Sequence, residues 1–434
     1  MTAAAHPEIL RATLFHVPRN PFRVSGSLEF HEDGGLLINS GRIAACGDYA
    51  SVREAHPEAA VRDLRGGVLL PGFVDTHVHY PQVRILGCLG YGLLEWLQRY
   101  TLPEEAKFAD LDYARVVAAE FVRALAAHGT TTALVFGSHF TAATAALFEA
   151  ARASGLRIVS GIVLSDRNLL SALHQSPDSA YRESTRLIRE YHGKGRLLYA
   201  VTPRFALSSS DAMLEICGAL LRENPGVRFQ THLNESKPEV KEVARLFPHD
   251  PDYFAVYERH GLAGRHSVFA HSVQTTDAEL ERMAARGSSA SYCPGSNAAL
   301  GSGFFPICRH LAKGVHFALG SDVGGGTGFG MLKEGLQAYL LQRLAPEGFP
   351  LAAEHLLYLA TLAGAEALGL EGEIGDFTPG KSADLVYVHA PEASPLAAVM
   401  RNAPSAGHLL SAIFTLADSS CIARTWVEGC PVKT

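Results

Sequence analysis

Short apolar runs separated by turn-forming residues occupy the first seventy positions: ATLFHV (12–17), SLEFHEDGGLLINSGRIAACG (27–47) and VRDLRGGVLL (61–70). Asp33-Gly34-Gly35, set between SLEF and LLIN, reads as a hairpin turn, since glycine supplies the positive φ that tight hairpins need. Similar runs return near the other end, ADLVYVHA (383–390) and IARTWVEGCPV (422–432). The pattern predicts one small β-sandwich domain assembled from both termini, residues 1–70 with 377–434.

Between these ends, strand-like runs alternate with helical spacing. The strand candidates are VLLPGFVDTHVH (68–79), TTALVFG (131–137), RIVSGIVL (157–164) and RLLYAVTPRF (196–205). VRFQTHLNE (227–235), HSVFAHS (266–272), GSSASYCP (287–294) and VHFALGSD (315–322) continue the series. LDYARVVAAEFVRALAAHG (111–129) has helical spacing and ends in His-Gly, like a capped C-terminus. Eight strands, each followed by a helix, predict an α/β fold of the (β/α)8 TIM barrel type over residues 71–376. The gap between His79 and Thr131 is too long for a plain βα unit, and LLEWLQRYTLPEEAKF (93–108) within it is a candidate lid.

Composition narrows the function. The 434 residues exceed one ordinary domain but suit a barrel with an appended unit. The net charge of −6 and the lack of basic blocks argue against nucleic acid, which needs clustered cations. No apolar run approaches a membrane span, and MTAAAHPEILRATLFH does not read as a signal peptide. Seven scattered cysteines without a CxxC pair suit reduced thiols in a cytoplasm rather than disulfides or a cysteine zinc site.

Twenty histidines make a single His-x-His pair an ordinary accident, so His77-Val78-His79 means little alone. Its place changes that. The pair closes the first barrel strand at its C-terminal end, where barrel active sites assemble, and alternate residues of a strand share a face. His232, His271 and Asp322 end later strands in the same way. Imidazoles and a carboxylate converging on one axis suit a borderline divalent metal such as zinc, with a position left for water. Glu235, three residues past His232, reads alone as the start of a helix; beside a metal it becomes a proton carrier. Gln82 and Arg204 offer hydrogen bonds to a polar ring edge, and Phe205 an apolar cover. Trp96 and Leu97 in the lid segment are pocket-closing candidates, although packing is the plainer reading. Gly324-Gly325-Gly326 lacks the phosphate-loop pattern and reads as close backbone approach to the site.

PGFVDTHVHYPQ (71–82), LLEWLQRYTLPEE (93–105), VTPRF (201–205), THLNE (231–235), CPGSNAALGSGF (293–304) and GSDVGGG (320–326) together resemble the amidohydrolase superfamily, and most of all its guanine deaminases. That resemblance covers nearly the whole chain, with THLNE and CPGSN standing where the family often has SHISE and CPNSN. It implies one divalent ion per chain, zinc or iron, held by His77, His79, His232 and Asp322. His271 and Asp322 would orient the water, and Glu235 would carry protons. Gln82, Arg204, Phe205, Trp96 and Leu97, with His232, Glu235 and Asp322, would surround guanine. A cytoplasmic homodimer of purine catabolism is the further implication. The fourth strand offers no lysine after Arg196, which disfavours a dinuclear, ring-opening relative. A sister enzyme acting on 8-oxoguanine, cytosine, a modified adenosine or an aminotriazine is the main alternative, and a catalytically silent scaffold another.

Overall fold

The computed structural model describes residues 7–432; Met1–His6, the opening of the segment weighed as a leader, lies outside the described residues. Four strands come first: β1 (Glu8–His16), β2 (Glu29–Asn39), β3 (Arg42–Asp48) and β4 (Ala60–Pro71). Then follow β5 (Phe73–His79), β6 (Thr130–Phe136), β7 (Arg157–Gly161), β8 (Val163–Leu164), β9 (Leu197–Pro203), β10 (Arg228–Leu233), β11 (Ser267–His271), β12 (Ser289–Tyr292) and β13 (His316–Leu319). β14 (Leu385–Val388), β15 (Ile422–Val427) and β16 (Cys430–Pro431) complete the set.

β5, β6, β7, β9, β10, β11, β12 and β13 pair in parallel in that order, with the two-residue β8 added beside β9. Every residue of β5, β6, β7, β10, β11 and β12 is buried, as expected of parallel strands covered on both faces. The first and last strands meet just beyond β13. Asp322 N–H donates to the His77 carbonyl (2.8 Å), and His79 N–H donates to the Val323 carbonyl (2.9 Å). The ring therefore closes at the C-terminal end, and this closure sets Asp322 against the His-x-His pair. The predicted α/β barrel is present.

Helices surround it. Leu111–Ala127 is N-capped by Asp110, whose side chain accepts from Asp112 N–H and Tyr113 N–H; it buries Val117, Phe121 and Leu125 and stops at His128. The long gap after β5 is helical: the helices Leu93–Trp96 and Leu102–Ala106 flank one wide turn, Leu97–Thr101.

The ends of the chain form one continuous seven-stranded sheet, β16-β15-β14-β4-β1-β2-β3. Pairing across it is unbroken, because β4 runs parallel to β1 on one edge and antiparallel to β14 on the other. Leu10, Leu36, Leu69, Leu385 and Trp426 from five of these strands share one apolar cluster. The helices Pro395–Asn402 and Ala406–Leu416 leave this sheet, and the second packs on the barrel helix Met331–Leu344.

The expected hairpin at Asp33-Gly34-Gly35 is overturned. β2 runs straight through these residues, and its register against β1 shifts there, so the segment is a bulge. Gly34 is required by close approach: a Cβ there would fall on the Leu14 side chain. The turn lies at Ser40-Gly41, where both residues have positive φ (52° and 80°).

Candidate active site

His77 and His79 stand at the end of β5, His232 near the end of β10, and Asp322 three residues past β13. Their ligand atoms lie within 4.8 Å of one another, all buried. His77 Nε2 and His79 Nε2 are 3.3 Å apart, and His79 Nε2 and His232 Nε2 are 3.2 Å apart. Asp322 Oδ1 is 3.3 Å from His77 Nε2 and 3.2 Å from His79 Nε2. Ligand atoms about 2.0–2.1 Å from a common tetrahedral centre stand roughly 3.3 Å from one another, so the spacing fits a divalent ion rather than hydrogen bonds between ring nitrogens. His232 Nδ1–H donates to the Arg204 carbonyl (2.6 Å), which leaves the Nε2 lone pair facing inward. Burial pushes the His79 imidazole down to about 4 and those of His77 and His232 below their usual range, so all three are neutral donors near pH 7. Burial alone would raise the Asp322 carboxyl, but the His77 and His79 imidazoles set against it hold it well below the carboxylate range.

Asp75, two residues before His77, braces this corner. Its Oδ1 accepts from His77 N–H (3.1 Å) and Ser321 N–H (3.0 Å), and its Oδ2 from Ser321 Oγ (2.5 Å). Asn234, His271, Ser272 and Asp322 all have φ between 48° and 71°. Left-handed backbone at four non-glycine residues around one site is strain that the surrounding structure must offset, and such strain clusters where side chains are aimed for chemistry.

Glu235 and His271 flank the ligands. His271 Nε2 is 3.5 Å from Glu235 Oε2 and 3.9 Å from Asp322 Oδ2 and makes no hydrogen bond among the described residues, while His271 Nδ1–H donates to Asn297 Oδ1 (3.1 Å). Ser302 Oγ donates to Glu235 Oε1 (3.2 Å). Burial, then the Asp322 charge, pushes the Glu235 carboxyl up to about 8. A buried acid protonated near neutrality beside an acceptor imidazole is equipped to give and take protons.

On the other side, Arg204 and Phe205 line a cavity of about 460 Å³ together with Leu97, Leu102 and Leu207. Arg204 Nη1 donates to both oxygens of Glu105 (2.7 and 3.0 Å), and Gln82 Nε2 donates to Glu105 Oε1 (2.9 Å).

The amidohydrolase family model matches residues 68–432. A further match, to a bacterial imidazolonepropionase-like composite domain, covers residues 34–59. The chain is 56% identical to a probable guanine deaminase of Deinococcus radiodurans over 97% of this chain and 98% of that one. It is 42% identical to the guanine deaminase of Escherichia coli K12 over 94% and 93%. The solved E. coli guanine deaminase superposes with TM-score 0.94 at 41% identity, covering 98% and 99%. A guanine deaminase from C. acetobutylicum, solved with guanine in its active site, gives TM-score 0.90 at 25% identity, covering 98% and 100%. The chain belongs to the amidohydrolase family.

In this amidohydrolase the residues expected to meet do meet: His77, His79, His232, Asp322, Glu235 and His271 form one cluster, and Gln82, Arg204 and Phe205 adjoin it. Leu97 lines the cavity, whereas Trp96 is buried in the hydrophobic core. The glycines after Asp322 allow close approach as expected: a Cβ on Gly324 would stand 2.6 Å from the Gln82 carbonyl. Sequence reasoning missed Asp75, Glu105, His139, Asn297 and Ser302. All but His139 lie inside motifs quoted above, and His139 stands two residues past the second strand candidate.

Proposed function

We propose that this chain hydrolyses guanine to xanthine and ammonia. One observation carries the reading: Glu235 shares a buried site with a His-His-His-Asp group on one side and with Arg204 and Gln82 on the other. Near-full-length similarity to proteins named guanine deaminase supports it. A divalent ion, zinc by preference, would be held by His77, His79, His232 and Asp322 and would supply a water acidic enough to attack near neutral pH.

The chain's residues then divide the work. Arg204 and Gln82 hold the ring by its carbonyl, and Phe205 covers it. Glu235, protonated at the outset, gives its proton to ring N3 while C2 is attacked. His271, oriented by Asn297, and Asp322 take the proton from the water. Glu235 then recovers the water's first proton from His271, whose Nε2 lies 3.5 Å from Glu235 Oε2, and passes it to the departing amine. The second, released as the C2 carbonyl forms, returns Glu235 to its acid form, so that water plus guanine balances xanthine plus ammonia. The chain divides into a composite β domain (1–70 and 377–434) and a barrel domain (71–376). It functions as a cytoplasmic homodimer. All seven cysteines are free, and Tyr339, Leu340 and Leu344 expose an apolar side of the helix Met331–Leu344 suited to a second copy.

Metal analysis and an ultraviolet assay of guanine conversion on the same sample test the reading. Turnover with about one ion per chain is expected. Adenine, which presents an amine where Arg204 needs an acceptor, should react at least ~10⁴-fold less efficiently. A metal-loaded protein that leaves guanine untouched but releases ammonia from another heterocycle would overturn it.

A further inference from the structure

Four segments distant in sequence send Gln82, Glu105, Arg204 and His139 into one buried cluster. Gln82 lies in the turn after β5, Glu105 in the inserted helix Leu102–Ala106, His139 just past β6 and Arg204 just past β9. None is more than 5% exposed. Glu105 is the hub. Its Oε1 accepts from Gln82 Nε2 and Arg204 Nη1, and its Oε2 accepts from Arg204 Nη1 and lies 3.3 Å from His139 Nδ1.

Two consequences follow for any ring held by Arg204 and Gln82. The first is direction. Gln82 Oε1 already accepts from Gly324 N–H (3.2 Å), and one Nε2 hydrogen goes to Glu105, so the amide is locked with a single spare N–H. Among the described residues, the side-chain hydrogen bonds of Arg204 all go to Glu105 through Nη1, which leaves its other N–H groups for a ligand. Both residues therefore present donors only, as a ring carbonyl requires. The second is charge. A buried guanidinium with no partner would draw in an anion, but Glu105 cancels it. Burial first, opposed only in part by the Glu105 charge and reinforced by Arg204, drives the His139 imidazole down to about 4, so His139 adds no charge.

We infer that Glu105 is a positioning residue that makes this subsite select a neutral ring carbonyl: it aims the donors of Gln82 and Arg204 and cancels the charge that would otherwise admit an anionic ring. The inference rests on the substrate reading above and deepens it, because xanthine ionises more readily than guanine and a charge-cancelled subsite turns the ionised product away.

Calorimetry on the metal-loaded protein at neutral pH tests it with two probes. Hypoxanthine is neutral, carries the ring carbonyl and has no 2-amino group to lose; urate is a monoanion. In Glu105→Gln the ratio of urate Kd to hypoxanthine Kd should fall about tenfold or more, because hypoxanthine weakens and urate does not. In turnover the same variant should raise KM for guanine more than it lowers kcat. A ratio equal to wild type, whether both ligands are unchanged or both weaken together, overturns the inference, as does a folded variant that binds no urate. Should Glu105→Gln fail to fold, Glu105→Asp keeps the charge but withdraws the carboxylate. Hypoxanthine should then weaken about fivefold with the ratio near wild type, and an unchanged hypoxanthine Kd overturns the inference. Guanine turnover by the wild-type chain is read separately. Its absence removes the activity while the two binding constants still decide the role of Glu105.

Discussion

Glu235 has physical reasons to be protonated: it is buried, it faces the Asp322 carboxylate, and among the described residues its one side-chain hydrogen-bond donor is Ser302. Glu235→Gln retains size and burial but cannot release a proton. It should keep its metal and lose about 10²–10⁴ of kcat. Metal content measured beside turnover checks this, and near wild-type kcat would remove Glu235 from the mechanism. Asp322→Ala behaves differently, since Asp322 touches both His77 and His79 and its loss leaves three imidazoles without the anionic ligand. Bound metal and activity should disappear together, and full activity in a metal-depleted variant would contradict the ligand assignment. Asp322 and the three histidines were legible because each ends a strand-like run, so one geometric rule of barrels gathers them. Glu105 obeys no such rule: it approaches Arg204 only through the path of the inserted helices, which no local spacing encodes. His139, three residues past β6 as Asp322 is past β13, fell within the rule but outside the strand-like run itself.

Among the elements, the barrel strands were the most legible, since each is a short apolar run closed by a polar residue at the mouth. The first run, 68–79, conceals a division. Its first part completes β4 in the terminal sheet and its second part is β5, with Gly72 between them. The segment Asp33-Gly34-Gly35 misled for a physical reason: glycine also serves where a neighbouring side chain crosses the backbone, and turn chemistry cannot distinguish that from a positive φ. Gly34→Ala would drive a Cβ into Leu14 and within 3.0 Å of the His31 Cβ. Overpacking of this kind costs about 1–3 kcal/mol. Tm should fall by several degrees while kcat of the folded enzyme is unchanged, because the bulge is in the terminal sheet. A Tm equal to wild type would show that β1 and β2 can separate without cost.

At the scale of the whole molecule, several buried acids stand around the site at raised pKa. Burial raises Asp75 and Glu239 to about 7 and Glu235 and Glu334 to about 8. Glu334, on the helix Met331–Leu344, isolates the effect because the proposed chemistry does not use it. Its Oε2 accepts from Gly295 N–H (2.9 Å), which opposes the shift, and the charges of Asp75 and Asp322 add to it. The folded state thus holds a proton that the unfolded chain, with an ordinary carboxyl, releases at much lower pH. The stability contributed by that proton is fully present below the ordinary carboxylate range and is lost as pH rises through about 8. Glu334→Gln stays neutral throughout and can still accept from Gly295. Wild-type Tm should therefore drop between about pH 5.5 and 8.5, and the variant's drop should be smaller by roughly 2–4 °C. Asp75, Glu239 and Glu235 remain to give the variant a slope of its own. Thermal melts of both proteins at the two pH values measure the difference, and parallel curves would mean that Glu334 is ionised in the folded protein, stabilised by a partner beyond Gly295.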